Sequence, residues 1–511
     1  MADTAAIWKQ LADHSRRTLS ALFEEDGRLD LLSTRLEWGE GDLAGGIRFD
    51  WSKTHLDAKL LALFEQLASA SGFAEQRDQL LTGAKINVTE GRAAEHIAQR
   101  GVGAEASVEE AAALHLRMKM LVEAIHQGAL GEVNHLIHIG IGGSALGPAM
   151  AVDALTRDLE LVDVHVVSNI DGLALEQAFA ACDPPTTMIA VASKTFTTIE
   201  TMTNADSALK WLADSGVSDP SGRVVALTAN PEAAVLWGVD ETRILPFPES
   251  VGGRYSLWSS IGFPVAIAAG WDEFEAMLAG GQAMDEHFRD TEGRANLPLR
   301  AAFADQYYTR IRGCQTRACF AYDERLSLLP DYLQQLEMES NGKRVKTSGD
   351  PVEGATAPVT WGGVGTDAQH AVFQLLHQGT HLVPVDFIAS IAPGDELNPA
   401  HHRILLTNCF AQGAALMAGG NMAEDGKDPA RAFPGDRPSA TMLCDDLDAA
   451  TLGALIAFHE HRTFANAVLM GINPFDQFGV ELGKKMANDI DTGDVSFDSS
   501  TEALLAAAGL K

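Results

Sequence analysis

Residues 135–148 read HLIHIGIGGSALGP: an apolar run, a glycine-rich turn and a proline suited to the first turn of a helix. Three more short apolar runs follow at 162–168, 187–192 and 223–228, separated by amphipathic helical segments. Buried strands that alternate with helices are typical of a parallel sheet with helices on both faces. We therefore predict a doubly wound α/β domain over residues 125–270.

The 511-residue chain is longer than one hydrophobic core uses, so more than one domain is expected. Apolar residues at helical spacing predict a helical region over residues 1–124 that packs on the large domain. Residues 271–511 carry further apolar runs and helical segments, including one helix over 366–377. They predict a second α/β domain that ends in a C-terminal helical tail.

The charge balance excludes several classes of protein. Lys and Arg number 38 against 70 Asp and Glu, a net charge of −32, which argues against a nucleic-acid or anionic-membrane surface. No apolar run reaches the length of a membrane span. The five cysteines are odd in number and match no zinc or redox spacing, so a reduced, cytoplasmic protein is expected. His401 and His402 lack carboxylates at ligand spacing, and no metal is expected.

Two turns are candidates for holding a phosphate. The first is the glycine-rich turn after 135–139, which also fits the loose dinucleotide fingerprint with Asp163 as the ribose-binding acid. The second, SKTFTT at 193–198, places four hydroxyls and one ammonium after another strand. A dinucleotide needs one such turn, whereas a compact phosphate ester uses two converging ones. The pair therefore favours a small sugar phosphate over NAD.

Two segments offer groups for acid–base chemistry. In ESVGGRYS (249–256), two glycines precede Arg254, which stays charged at any working pH and suits stabilising an oxyanion. In QQLEMESNGK (334–343), Glu339 lies near the end of a predicted helix, where a carboxylate held in a cleft serves as a proton shuttle. Gln335, four residues earlier, shares its helix face. A solvated surface role remains the alternative for either charge.

Histidine and lysine candidates stay ambiguous from the residues alone. His370 and His377 are seven residues apart and are predicted to share one helix face, which does not decide between them. In FDQFGVELGKK (475–485), Lys484 or Lys485 is able to project a cation into a site, although the segment is not a Walker loop.

Taken together and in this order, these segments resemble the glucose-6-phosphate isomerase (phosphoglucose isomerase) family. The resemblance runs from KINVTEGR (85–92) to Lys484, and its most specific parts are ESVGGRYS and FDQFGVELGK. The family is built on two α/β domains of the sugar-isomerase (SIS) type, and it implies an aldose–ketose isomerase that needs no cofactor. Departures are few: Ala145 stands where an acid is usual, and Gly363-Val364 replaces a more common Glu-Pro.

The resemblance implies a role for each matching residue. Glu339 moves the proton between C1 and C2, Arg254 stabilises the cis-enediolate, His370 rather than His377 opens the sugar ring, and Lys484 assists at the ring oxygen. The residues implied in binding the sugar and its phosphate are Gly143, Ser144, Ser193, Lys194, Thr195, Thr198, Gln335 and Gln477.

The resemblance also implies a homodimer in which the histidine reaches the neighbouring subunit's site. Two other classes stay open. A non-catalytic sugar-phosphate-binding protein has no reason to keep Glu339, Arg254, His370 and Lys484 together, and an NAD-dependent oxidoreductase rests on the glycine turn and Asp163 alone. An amidotransferase is disfavoured because Met1-Ala2 offers no N-terminal cysteine nucleophile.

Overall fold

The computed structural model describes residues 4–39, 44–157, 160–423, 428–493 and 495–510. The strands are β1 (Ser33–Trp38), β2 (Gly45–Asp50), β3 (His135–Gly140), β4 (Asp163–Val167), β5 (Thr187–Ala192), β6 (Val224–Thr228), β7 (Ile244–Pro246), β8 (Thr316–Tyr322), β9 (Val359–Val364), β10 (Val385–Ser390), β11 (Gly420–Asn421), β12 (Ala432–Phe433) and β13 (Ser439–Cys444). The α-helices are α1 (Thr4–Ala12), α2 (Leu19–Leu22), α3 (Arg28–Leu32), α4 (Ala58–Ala70), α5 (Phe73–Leu81), α6 (Glu105–His126), α7 (Leu146–Thr156), α8 (Gly172–Ala181), α9 (Ile199–Asp214), α10 (Pro231–Trp237), α11 (Phe263–Ala269), α12 (Trp271–Asp290), α13 (Leu297–Gln306), α14 (Leu329–Asn341), α15 (Asp367–Ala371), α16 (Phe373–Gln378), α17 (Ala400–Ala418), α18 (Ala449–Met470), α19 (Glu481–Thr492) and α20 (Ser499–Ala507). Within these ranges, no helix has the length and apolar character that crossing a membrane requires.

The first sheet consists of parallel strands in the order β4-β3-β5-β6-β7. Strand β5 is buried along its whole length, and its last residue, Ala192, pairs with Gly140 at the end of β3. The winding reverses between β3 and β5, because β4 lies on one side of β3 and the later strands on the other. Ligands of doubly wound sheets bind at such a switch point, outside the carboxyl ends of the strands. The predicted α/β class is confirmed.

The second sheet has the order β1-β2-β13-β10-β8-β9. Four of its strands are parallel: β13, β10, β8 and β9. The winding direction reverses between β8 and β10, as it does between β3 and β5 in the first sheet. The hairpin of β1 and β2 adds to the edge in antiparallel pairing with β13. The helical prediction for residues 1–124 did not include this hairpin. The sequence pattern that would indicate a strand here is short. In β2, Ile47 and Phe49 are buried and Arg48 between them is exposed, so buried and exposed residues alternate over only three positions.

Helix α18 is buried at all 22 of its residues. It crosses α12 so closely that a Cβ at Gly280 would lie 1.8 Å from the carbonyl oxygen of Ala450. A Cβ at Gly453 would likewise lie 1.9 Å from the carbonyl oxygen of Met277. Because no larger residue fits at these two glycines, the crossing fixes the position of the charges that α18 carries.

The single helix predicted over residues 366–377 is wrong. The segment forms α15 and α16, separated at Val372, whose backbone (φ −124°, ψ −10°) lies outside the helical range. The Val372 N–H still donates to the carbonyl of Ala368 at 2.8 Å and so closes the first helix. His370 and His377 therefore lie on different helices, and the shared face expected from their spacing does not exist.

The chain divides into two compact units, residues 1–474 and 475–511. The second unit contains α19 and α20. Helix α20 begins after Asp498, whose carboxylate accepts hydrogen bonds from the N–H groups of Ser500 and Thr501 at 3.0 and 3.1 Å. This capping satisfies two N–H groups that have no partner within the helix.

Candidate active site

The glycine-rich turn and the hydroxyl-rich turn lie side by side, because they follow the neighbouring strands β3 and β5. In the first turn, Gly142 has a positive φ of 60°, and residues 142–144 form one turn of 3₁₀-helix before α7. From inside β3, His138 Nε2 donates to the carbonyl of Ser144 at 2.7 Å. Burial lowers the pKa of His138 to about 4, so the ring holds the turn as a neutral donor.

The hydroxyl-rich turn is held in one shape by its own bonds. Ser193 Oγ accepts from the N–H of Phe196 at 3.1 Å and lies 3.2 Å from Thr198 Oγ1, while Thr195 is exposed. Phe196 has a φ of 56°, a conformation that is strained for a bulky residue. Its buried ring packs edge-on against Trp237, which holds the backbone there. These contacts keep the hydroxyls of Ser193 and Thr198 together at the start of α9.

Lys194 ties this turn to the segment that leads to Arg254. Its Nζ donates to the carbonyls of Glu249 at 2.6 Å and Val251 at 3.1 Å. An ammonium has three donors, so one remains for a ligand. Burial, and then the nearby Arg92, lower the pKa of Lys194 to about 8. Two of the three donors of Lys194 therefore hold two turns together, and its predicted role toward a phosphate stays a prediction.

The glycine-rich turn also abuts the arginine turn. A Cβ at Gly143 would lie 2.2 Å from the carbonyl carbon of Gly253 and 2.4 Å from the backbone nitrogen of Arg254. Only glycine permits this approach, because both contacted groups are backbone. Gly143, expected to bind phosphate, thus sets the distance between the two turns.

Arg254 is buried beneath the turns, 3% exposed. Its Nε donates to Ser340 Oγ at 2.6 Å, and its Nη2 donates to the carbonyl of Pro474. Its Nη1 lies 3.7 Å from Glu339 Oε1. Tyr255 supports the arrangement, since its hydroxyl is 2.9 Å from the same Ser340 Oγ. The guanidinium is therefore fixed from behind and pairs with the predicted proton-transfer carboxylate.

Glu339 and Gln335 lie one turn apart on α14, as predicted. The side chain of Glu339 keeps 23% of its surface exposed, so the carboxylate is accessible from solvent. Gln335 Oε1 is buried and has no hydrogen-bond partner among the described residues, and Gln335 Nε2 would lie 3.1 Å from a Cβ at Gly142. A buried amide oxygen without a partner is costly, so this oxygen is an acceptor that a ligand hydroxyl is able to satisfy.

The two candidate histidines have different surroundings. His377 is half-buried, its Nε2 lies 2.8 Å from Gln412 Oε1, and its ring packs against Phe373 and Phe433. His370 is exposed on the short helix α15. His377 is thus a satisfied structural group, and His370 is the histidine able to reach a ligand or another subunit.

The remaining two predicted residues belong to the second compact unit. Lys484 lies on α19, and Gln477 precedes a short 3₁₀ turn over Phe478–Val480. Their roles toward the sugar stay predictions.

A buried ionic network behind the arginine turn was not evident from the sequence. Arg100 donates two bonds of 2.7 Å to Asp285 and one of 2.6 Å to Glu460. The other oxygen of Glu460 accepts from Trp258 Nε1 at 2.8 Å, and Trp258 ends the 3₁₀-helix that contains Arg254. Removing one member of such a buried set typically costs about 3–5 kcal/mol. These residues position Arg254 through the backbone that carries it.

Asp163 does not lie where a dinucleotide needs an acid. It is the first residue of β4 and pairs with His135, the first residue of β3. The glycine-rich turn follows the other end of β3, about 16 Å away along the strand. The ribose-binding acid of a dinucleotide fold instead acts at the carboxyl ends of the strands. The NAD-dependent alternative rested on the glycine-rich turn and on Asp163, and it therefore lacks its ribose-binding acid.

Known proteins resemble this chain along almost its whole length. Residues 50–505 match the family described as Phosphoglucose isomerase. A glucose-6-phosphate isomerase of Erythrobacter litoralis is 79% identical over 508 residues, which is 98% of either chain. One of Novosphingobium aromaticivorans is 70% identical, covering 100% of this chain and 99% of the relative. The crystal structure of a glucose-6-phosphate isomerase from Chlamydia trachomatis is 28% identical with a TM-score of 0.88, covering 100% of this chain and 99% of that one.

Proposed function

The chain belongs to the phosphoglucose isomerase family, and we propose that it interconverts glucose 6-phosphate and fructose 6-phosphate through a cis-enediolate. The observation that carries the mechanism is the pair of Glu339 and Arg254, a solvent-accessible carboxylate 3.7 Å from a guanidinium fixed by the fold. The pair supplies a base and an oxyanion stabiliser side by side, next to two turns suited to a phosphate.

The phosphate is assigned to the two turns at the switch point. Ser144 lies at the end of the first, and Ser193, Thr195 and Thr198 offer hydroxyls on the second. The ammonium of Lys194 supplies the positive charge, and its third N–H is available to donate to the phosphate. Binding the phosphate there places the rest of the sugar toward Gln335, whose buried carbonyl oxygen accepts from a sugar hydroxyl.

Proton transfer is assigned to Glu339. The carboxylate takes the C2 proton of the open-chain aldose, and the electron pair of that bond forms the C1–C2 double bond while charge moves to O1. Arg254 stabilises this charge. Glu339 then returns a proton to C1, and the O2 hydroxyl loses its proton to O1 as the ketone forms. One carboxylate serves both transfers because C1 and C2 are adjacent on one face.

Ring opening is assigned to His370, with Lys484 assisting at the ring oxygen. The exposure of His370 suits donation to the site of a second copy, which supports a homodimer. The five cysteines are free thiols, which supports a cytoplasmic enzyme.

The proposal is tested by incubating the chain with fructose 6-phosphate without added nucleotide and stopping the reaction. The glucose 6-phosphate formed is then detected by a separate dehydrogenase-coupled assay. We expect turnover by the wild type and by Asp331→Asn, an exposed acid on the same helix α14. Glu339→Gln should lose activity by at least about 10²-fold while still binding fructose 6-phosphate by calorimetry. A wild type that binds fructose 6-phosphate without turning it over would instead identify a sugar-phosphate sensor.

A further inference from the structure

A cluster of possible metal ligands lies at the amino-terminal ends of β3 and β4. His135 begins β3, Asp163 begins β4 and pairs with it, and His165 follows two residues later on the same face. Cys182 directly follows helix α8 and caps its carboxyl end. One ligand atom each from His135, His165 and Cys182 lies within 4.8 Å of the other two.

The polar groups of this cluster are incompletely satisfied. Asp163 Oδ2 lies 3.0 Å from His165 Nε2 and 3.5 Å from His135 Nδ1. His135 Nδ1 is buried and has no hydrogen-bond partner in the described part of the chain. The Cys182 sulfur is in no disulfide. The two histidine side chains are 21% and 24% exposed, so an ion reaches the cluster from solvent.

We propose that His135, His165 and Cys182, with Asp163 as the fourth ligand, form a zinc site. Imidazole, thiolate and carboxylate are the ligands that Zn²⁺ takes in proteins, usually four in a tetrahedron. The charges balance: the ion carries +2, thiolate and carboxylate carry −1 each, and the imidazoles are neutral. Binding releases the Cys182 proton to solvent. Ligand atoms around zinc lie about 3.5 Å apart, so modest side-chain rotations close the site.

The site is structural and independent of the proposed isomerisation. It lies about 16 Å along β3 from the glycine-rich turn, at the opposite edge of the sheet. An ion held there joins the starts of two strands to the end of α8. Because the four ligands come from three separate elements, their spacing along the chain matches no compact zinc motif.

The test titrates the chelator-treated full-length chain with Zn²⁺ by calorimetry and with Co²⁺ by absorption spectroscopy. We expect one ion per chain and a thiolate-to-cobalt charge-transfer band. Cys182→Ser should lose the band, and His165→Gln should weaken zinc binding by more than about 100-fold. The double variant His401→Gln/His402→Gln, which removes a surface histidine pair elsewhere, should bind zinc as the wild type does.

Zinc should also raise the melting temperature of the wild type but not that of Cys182→Ser, because only an intact site couples binding to folding. Isomerase activity should be equal with and without chelator. The site is overturned if the wild type binds no zinc, or if Cys182→Ser and His165→Gln bind it normally. Its independence of the isomerisation is overturned if chelation abolishes activity and zinc restores it.

Discussion

Replacing Gly143 by alanine tests whether the contact between two turns sets the position of Arg254. The new methyl group would lie 2.2 Å from the carbonyl carbon of Gly253, whereas ordinary contact begins at about 3.4 Å. The turns must therefore separate by about 1.2 Å. No side-chain rotation relieves the clash, since the contacted atoms belong to the backbone.

A misplacement of about 1 Å near reacting groups costs about 10²-fold in rate, so we expect kcat of Gly143→Ala to fall by about 100-fold. Overpacking of this size destabilises by about 1–3 kcal/mol, which lowers the melting temperature but leaves the chain folded. The coupled assay and a thermal melt measure the two effects.

Gly252→Ala is the matched control for this substitution. Gly252 has a φ of −72° and a ψ of 152°, which alanine also adopts, and its nearest neighbour would be Tyr255 Cδ2 at an ordinary 3.5 Å. It should behave as the wild type does. A Gly143→Ala variant with the wild-type kcat and melting temperature would show that this contact does not position Arg254.

Three further predictions concern binding and ring opening. Ser193→Ala with Thr195→Ala should raise KM by roughly 10²-fold and leave kcat nearly unchanged, because the phosphate is held equally in ground and transition states; an unchanged KM contradicts the assignment. The ammonium of Lys194, with a pKa of about 8, loses its proton as the pH rises, so KM should increase above pH 8. Lys194→Arg, which stays charged, should abolish that increase, and a wild-type KM that is flat to pH 10 would argue against the charge. His370→Ala should slow turnover of the cyclic substrate while sparing proton exchange on an open-chain sugar phosphate. His377→Ala, the control, should affect both substrates alike. Equal losses on both substrates in His370→Ala would contradict its role in ring opening.

The sequence predicts those parts of the site whose residues follow one another closely along the chain. The turns after 135–140 and 187–192 are recognisable because strand, turn and helix are consecutive, and neighbouring parallel strands bring their ends together. The Glu339 and Gln335 pair follows from helical spacing. Helical spacing does not predict the different surroundings of His370 and His377. The helix breaks at Val372, and no residue nearby in the sequence indicates that break.

Contacts between distant segments were not predictable in the same way. Gly143 is glycine because the backbone at Gly253 approaches it, and neither segment contains a signal for the other. Arg100 and Glu460 look like surface charges by composition, yet they pair inside the protein and hold Trp258. Such networks depend on tertiary geometry rather than on local pattern.

Hydrogen exchange during turnover in D₂O measures whether Glu339 carries a proton between C1 and C2. Fructose 6-phosphate is converted by wild type, Asp331→Asn and Glu339→Gln, and deuterium at C2 of the glucose 6-phosphate formed is measured by NMR. We predict incorporation by the wild type and by Asp331→Asn, because the carboxylate shares its proton with water between the two transfers. Glu339→Gln should show neither isomerisation nor incorporation. Deuterium incorporation by Glu339→Gln at the wild-type rate would contradict the claim and assign the proton transfer to another group.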